Sequence, residues 1–191
     1  ASNYSISQPA ALSADITAVT LTVSADAQSK TYDGSVFSGF SVSYSGFVNS
    51  ETSAVISGSV TYSGSATTGT DAGSYTITPV VSGLSATNYD FSASNGTLTI
   101  STAALTVDIS GLSADDKSYD GGTSATTSGS AALSGVVSGD SVDLDSSGSY
   151  AFAQSDVGSG IAVSGVTYSL SGTDASNYSI SQPAALSADI T

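Results

Sequence analysis

The run Val19-Thr20-Leu21-Thr22-Val23-Ser24 places a large apolar side chain at every second position and a hydroxyl at each position between. Successive side chains of an extended chain point to opposite faces, so this spelling predicts a strand with one face in a core and the other in water. The same alternation appears at Phe40, Val42 and Tyr44, at Tyr75 and Ile77, and at Leu98 and Ile100. It returns at Leu105, Val107 and Ile109, at Tyr150 and Phe152, and at Val166, Tyr168 and Leu170. Asp33-Gly34, Asn95-Gly96 and Asp120-Gly121 fall between these runs as turn signals, because Asp, Asn and Gly tolerate the positive φ of tight turns. No stretch offers a long helical period. At most a short helical turn is expected near 46–52 and 135–141, where GFVNSET and GVVSGDS interrupt the alternation.

The strands belong to a repeat. Residues 1–17, ASNYSISQPAALSADIT, recur unchanged as residues 175–191, which marks the chain as one period of a tandem array. Inside that period a weaker repeat has about half its length. Lys30-Thr31-Tyr32-Asp33-Gly34 answers Lys117-Ser118-Tyr119-Asp120-Gly121, Leu21-Thr22-Val23 answers Leu105-Thr106-Val107, Asp71-Ala72-Gly73-Ser74 answers Asp156-Val157-Gly158-Ser159, and Asn88-Tyr89 answers Asn177-Tyr178. The expected organisation is a closing segment of a preceding copy at 1–17, a first repeat at 18–103 and a second at 104–191. Leu98-Thr99-Ile100 ends one repeat and Leu105-Thr106-Val107 opens the next with no flexible linker between them, which predicts a stiff junction. The fold expected is all-β, or strand-dominated and β-grasp-like, as two similar sandwich-like modules in tandem forming an elongated particle.

Composition removes most chemistry. Two basic side chains against sixteen acidic ones give a net charge of −14, so nucleic acid and anionic lipid would repel the chain. His, Cys, Met and Trp are absent, and with them imidazole bases, thiol nucleophiles, soft metal ligands and disulfides. No apolar run has the length of a membrane span, and no signal peptide opens the sequence. Asp115 and Asp116 are adjacent, so on a strand they face apart and cannot flank one substrate bond. No phosphate-cradling Gly-Lys-Ser/Thr loop and no Gly-x-Ser-x-Gly elbow occurs. A non-enzymatic protein is expected.

Taken together, the opening strand LTV, the pieces KTYDG and KSYDG, DAGSYTI and DVGSGIAV, NYDF and NYSI, and the closing strand GTLTIST resemble the YDG and MBG-type repeats of bacterial surface adhesins, including haemagglutinin-like proteins. The resemblance spans 18–191. It implies a compact strand-rich module, sandwich-like or related to a β-grasp, repeated as the stalk of a secreted or surface-anchored adhesin outside the cell, and it identifies no ligand.

Three sets of candidate residues follow. Tyr32 and Tyr119, each in a turn motif, are the better candidates for aromatic stacking on a glycan or host protein. Lys30 and Lys117 are the only cationic side chains, and each is a candidate for an isopeptide bond to Asn88 or Asn177, with Asp33 or Asp120 as the assisting carboxyl. Asp143, Asp145 and Ser147, followed by Gly148, copy the opening of a calcium loop, although Gln154 stands where such a loop carries its bidentate Glu. No cofactor is expected apart from that calcium. A spacer built from repeats is weighed against a carbohydrate- or host-protein-binding module assisted by calcium. The spacer needs only short junctions, near-identical copies and tolerant surfaces, and its partners are neighbouring repeats of the same chain. A monomer is expected, with no nucleic acid bound and no membrane insertion.

Overall fold

The alternating run becomes the strand Val19–Ala25, in which Leu21, Val23 and Ala25 are buried while Thr20, Thr22 and Ser24 face outward. The computed structural model describes residues 3–191, so the first two residues of the expected closing segment lie outside it. Val19–Ala25 is the centre of a three-stranded sheet, antiparallel to Val42–Ser45 and parallel to Tyr89–Ser94. A second sheet of four strands runs in the order Gln28–Thr31, Gly96–Ser101, Gly73–Val80, Thr61–Ser63. The two sheets face each other over Leu21, Val23, Ile77, Leu98 and Ile100. Burying side chains of this size stabilises the fold by roughly 1.5–3 kcal/mol each.

The second repeat is built on the same plan. Ala103–Asp108 lies between Ala132–Ser134, antiparallel, and Tyr178–Ile180, parallel. A companion sheet places Gly158–Ser164 between Ala151–Phe152 and Leu186–Ile190, over Phe152, Ile161, Val163 and Ile190. The parallel pairing of Gln28–Thr31 with Gly96–Ser101 returns as a bridge from Lys117 to Ile190. The chain is strand-dominated, with only three short 3-10 turns among the described residues.

Two expectations change. Segments 46–52 and 135–141 do not turn as helices: each reverses in a four-residue turn, Glu51 N–H to Val48 O at 3.0 Å and Asp140 N–H to Val137 O at 3.1 Å. Asn49 and Ser50 sit at φ of 53° and 60°, and Gly139, the counterpart of Ser50, at 103°, the opposite hand from a helix. Asn95-Gly96 makes no tight turn at positive φ either. The strands on its two sides lie in different sheets, and Gly96 lets the chain cross between them because a Cβ there would stand 2.4 Å from Ala25 O.

The strand Gly96–Ser101 ends the first repeat and Ala103–Asp108 opens the second, with Thr102 alone between them. One apolar cluster crosses this boundary, running from Ile77, Leu98, Ile100 and Tyr32 into Leu105 and Tyr178.

Candidate functional site

The Lys-x-Tyr-Asp-Gly motif is first a self-contained corner. The Lys30 amine pairs with Asp33 and donates to Ser35 O at 2.6 Å, while Asp33 Oδ1 accepts Ser35 N–H at 2.9 Å. Lys117 does the same, 2.6 Å from Asp120 Oδ1 and donating to Gly122 O at 2.8 Å, while Asp120 accepts Gly122 N–H at 2.8 Å. Gly34 and Gly121 supply the left-handed residue at φ of 72° and 75°. The lysine bond, and then the backbone N–H, hold both aspartates below the usual carboxylate range.

These bonds dispose of the isopeptide arrangement. Both amines end on the aspartate and carbonyls of their own turn. Asn177 is elsewhere, with its carboxamide taken up by Asp71 and Ala72, and exposed Asn88 sits in the turn before Tyr89–Ser94, a strand of the other sheet from Lys30. The calcium trio also fails to converge. Asp143, Asp145 and Ser147 lie along the strand Asp143–Ser147, paired with Thr167–Ser171, where alternate residues are spread about 6–7 Å apart in a line instead of wrapping one ion. Among the described residues no group of three acidic side chains is placed to hold a metal.

The two motif tyrosines, alike in sequence, have opposite fates. Tyr119 is 58% exposed. Tyr32, a stacking candidate from the sequence, is 6% exposed because the second repeat covers it, so it is withdrawn from any ligand. Its ring meets Tyr178 edge to face at 5.3 Å between centroids, and its hydroxyl donates to Asp140 Oδ2 at 2.8 Å. Tyr178 donates to the same oxygen at 2.5 Å and accepts Val137 N–H at 2.9 Å. One half-buried carboxylate thus gathers a tyrosine from each repeat through charge-assisted bonds, which are stronger than neutral ones. Beside it Asn177, 3% exposed, accepts Ala72 N–H of the first repeat at 2.8 Å and donates to Asp71 Oδ1 at 3.4 Å. Gly34 completes the contact, its Cβ position 3.4 Å from Val137. The candidate site is therefore a joint: Tyr32, Gly34, Asp71 and Ala72 on one side, and Val137, Asp140, Asn177 and Tyr178 on the other.

The receiving half of that joint is present in the first repeat as well. Tyr89 donates to Glu51 Oε2 at 2.5 Å and accepts Val48 N–H at 3.0 Å, the same pair of bonds at the same sequence separations as in Tyr178, Asp140 and Val137. Sequence reading identified the turns and Asn88-Tyr89 with Asn177-Tyr178 as matched, but missed that tyrosine and turn carboxylate form one unit. The signal available was the paired spelling VNSE and VSGD, each ending in an acid.

Burial, followed by the Asp140 bond, raises the hydroxyl pKa of Tyr32 and Tyr178, and burial together with Tyr168 pushes Tyr150 up to about 12. Unfolded tyrosines ionise near 10.0. Above that pH the folded chain holds more protons than the unfolded one, so stability is intact below it and falls as pH rises toward 12. Denaturant unfolding at about pH 9 and about pH 11 is expected to show this loss, and Tyr32→Phe to lessen its slope; equal stability at both pH values would contradict it.

Residues 21–99 match the family model described as MBG domain (YGX type), and residues 101–185 match that described as YDG domain. No curated protein and no solved structure matches the chain.

Proposed function

From a chain that belongs to these two families, its first half an MBG domain (YGX type) and its second a YDG domain, we propose a structural role: the repeats are rigid spacers in the stalk of a large bacterial cell-surface or secreted adhesin. The observation that carries this reading is the buried Tyr32 between Asp140 and Tyr178, because a side chain sealed between two modules fixes their mutual orientation. Thr102 as the only residue between flanking strands supports it, since so short a connection leaves little room for swivelling. The net charge of −14 suits a crowded extracellular array, keeping neighbouring stalks apart at low salt. The polypeptide acts as a monomer whose partners are its own adjoining repeats, and its carboxylates and tethered lysines serve as turn clamps rather than catalysts.

Small-angle scattering tests this. The chain is expected to give an elongated particle, and a version with residues 18–191 appended once more after Thr191 is expected to give one about twice as long at unchanged cross-section. A globular particle in either case overturns the spacer reading. The alternative, a glycan- or host-protein-binding face, keeps Tyr119 as its exposed aromatic and has lost Tyr32 to the joint.

A further inference from the structure

Among the described residues nothing covers the receiving surface of the first repeat as the first repeat covers that of the second, and the second carries the protruding parts that would fill one. Glu51, Tyr89, Val48 and Asn88 match Asp140, Tyr178, Val137 and Asn177 position for position, and the Tyr89 hydroxyl already bridges Glu51 and Val48 N–H as its counterpart does in the joint. Yet Asn88 and Val48 are exposed, whereas Asn177 is buried beneath Asp71 and Ala72. A hollow lies here, lined by Ile16, Thr17, Val19, Val48, Glu51 and Asn88. At the far end Tyr119, Asp156 and Val157, the counterparts of Tyr32, Asp71 and Ala72, are exposed, and the Cβ position of Gly121 has open space where that of Gly34 meets Val137.

The duplicated segment says what belongs between these surfaces. Tyr4 is 92% exposed and Ile16 fully so, but in the identical second copy Tyr178 is 6% exposed and Ile190 1%, because that copy supplies strands Tyr178–Ile180 and Leu186–Ile190 to a completed repeat. If residues 3–17 are held in a preceding unit in the same way, the residue matching Ile190 is Ile16, and Thr17 and Ala18 alone separate its strand from Val19–Ala25. That connection is nearly as short as the single Thr102, so it would deliver the preceding unit's Tyr119 to Glu51 at high effective concentration.

We propose that the hollow at Glu51, Tyr89 and Asn88 is the docking site for Tyr119 and Asp156 of the preceding period of this same sequence, so that every junction of the array, and not only the one described, closes through a tyrosine on a shared turn carboxylate. Such a contact is head-to-tail and extends without closing. Tyr119 donates to Glu51 beside Tyr89, and Asn88 engages Asp156 and the N–H of Val157. The inference rests on the spacer reading but is separable from it.

The test uses the chain with residues 18–191 appended after Thr191, carrying Tyr119→Phe in the appended period so that only the inner Tyr119 reports. Nitration by tetranitromethane, mapped by peptide mass, is expected to modify Tyr119 readily in the 191-residue chain. In the extended chain its rate is expected to drop about tenfold or more, the factor that about 1.4 kcal/mol of closure supplies. Glu51→Ala or Asn88→Ala in the appended period is expected to restore the rate, while continued protection of the inner Tyr32 shows that the repeats are still folded. An inner Tyr119 that reacts as fast as in the shorter chain overturns the proposal, as does protection indifferent to both variants. If that happens while scattering still reports a doubled rod, the joint fails and the spacer reading stands.

Discussion

Tyr32→Ala is expected to destabilise the chain by about 3–5 kcal/mol, the range for removing a large aromatic from a packed interior, while Tyr119→Ala stays within about 0.5 kcal/mol of the parent. The two residues occupy the same place in the same five-residue motif, so neither residue type nor local backbone separates them. What differs is that Tyr32 is covered by the second repeat and Tyr119 is not. The alanine removes the ring packed against Tyr178 and leaves a hole where the apolar cluster crosses between repeats. Tyr32→Phe keeps the ring and removes only the bond to Asp140, so a smaller loss is expected, about 0.5–1.5 kcal/mol, since Asp140 retains Tyr178 as a donor. Denaturant unfolding of the three variants measures this directly. Equal losses for Tyr32→Ala and Tyr119→Ala would mean that the repeats do not seal against each other in solution.

The second large effect is expected at two glycines far from the joint. Gly58 and Gly129 have φ of 95° and 87°, and a Cβ on either would sit 1.9 Å from a carbonyl oxygen, that of Gly83 or of Gly111. An alanine must pay the left-handed penalty of roughly 1–2 kcal/mol and also push apart the short strand pairs Gly58–Leu84 and Gly129–Leu112. A total of about 3 kcal/mol or more is expected for each, which for a chain of this size is a fall in Tm of about 6 °C or more. Gly121→Ala is the control. Its φ of 75° brings the strain, but open space surrounds its Cβ position, so only about 1 kcal/mol is expected. Should thermal unfolding place all three variants together, the close approach at Gly58 and Gly129 is not what holds those strands in register.

The strand content was legible because an alternating face is a local property. Leu21, Val23, Leu98 and Ile100 need only their own neighbours in sequence to show which side is buried, and all four are in the core. That the chain holds two tandem repeats of the YDG and MBG kind was legible from repeated spelling, whereas the spelling shared by the two halves did not tell which half is of which type. The joint was hidden because it pairs residues 108 apart, Tyr32 with Asp140, and because what decides the burial of Tyr32 is the presence of a following repeat. The calcium spelling misled for a related reason. Carboxylates at alternate positions are what a cation loop requires and also what the wet face of a strand displays, so Asp143 and Asp145 fit both patterns until the backbone path is known. The recurrence of Gly-Leu-Ser-Ala at 83–86 and 111–114 went unread, although in both places its glycine carbonyl closes on the positive-φ glycine opposite.

The parallel pairing of Val19–Ala25 with Tyr89–Ser94, and of Gln28–Thr31 with Gly96–Ser101, also governs how the first repeat responds to tension. Pulled from its two ends, the chain hauls its opening strand one way and its last strands the other, and between parallel neighbours those directions oppose along the strand axis. The interstrand hydrogen bonds lie across the line of load, so they are strained together and must rupture together, whereas a hairpin peeled from its open end yields one bond at a time. A repeat built this way resists stretching most strongly along the line that joins its two ends.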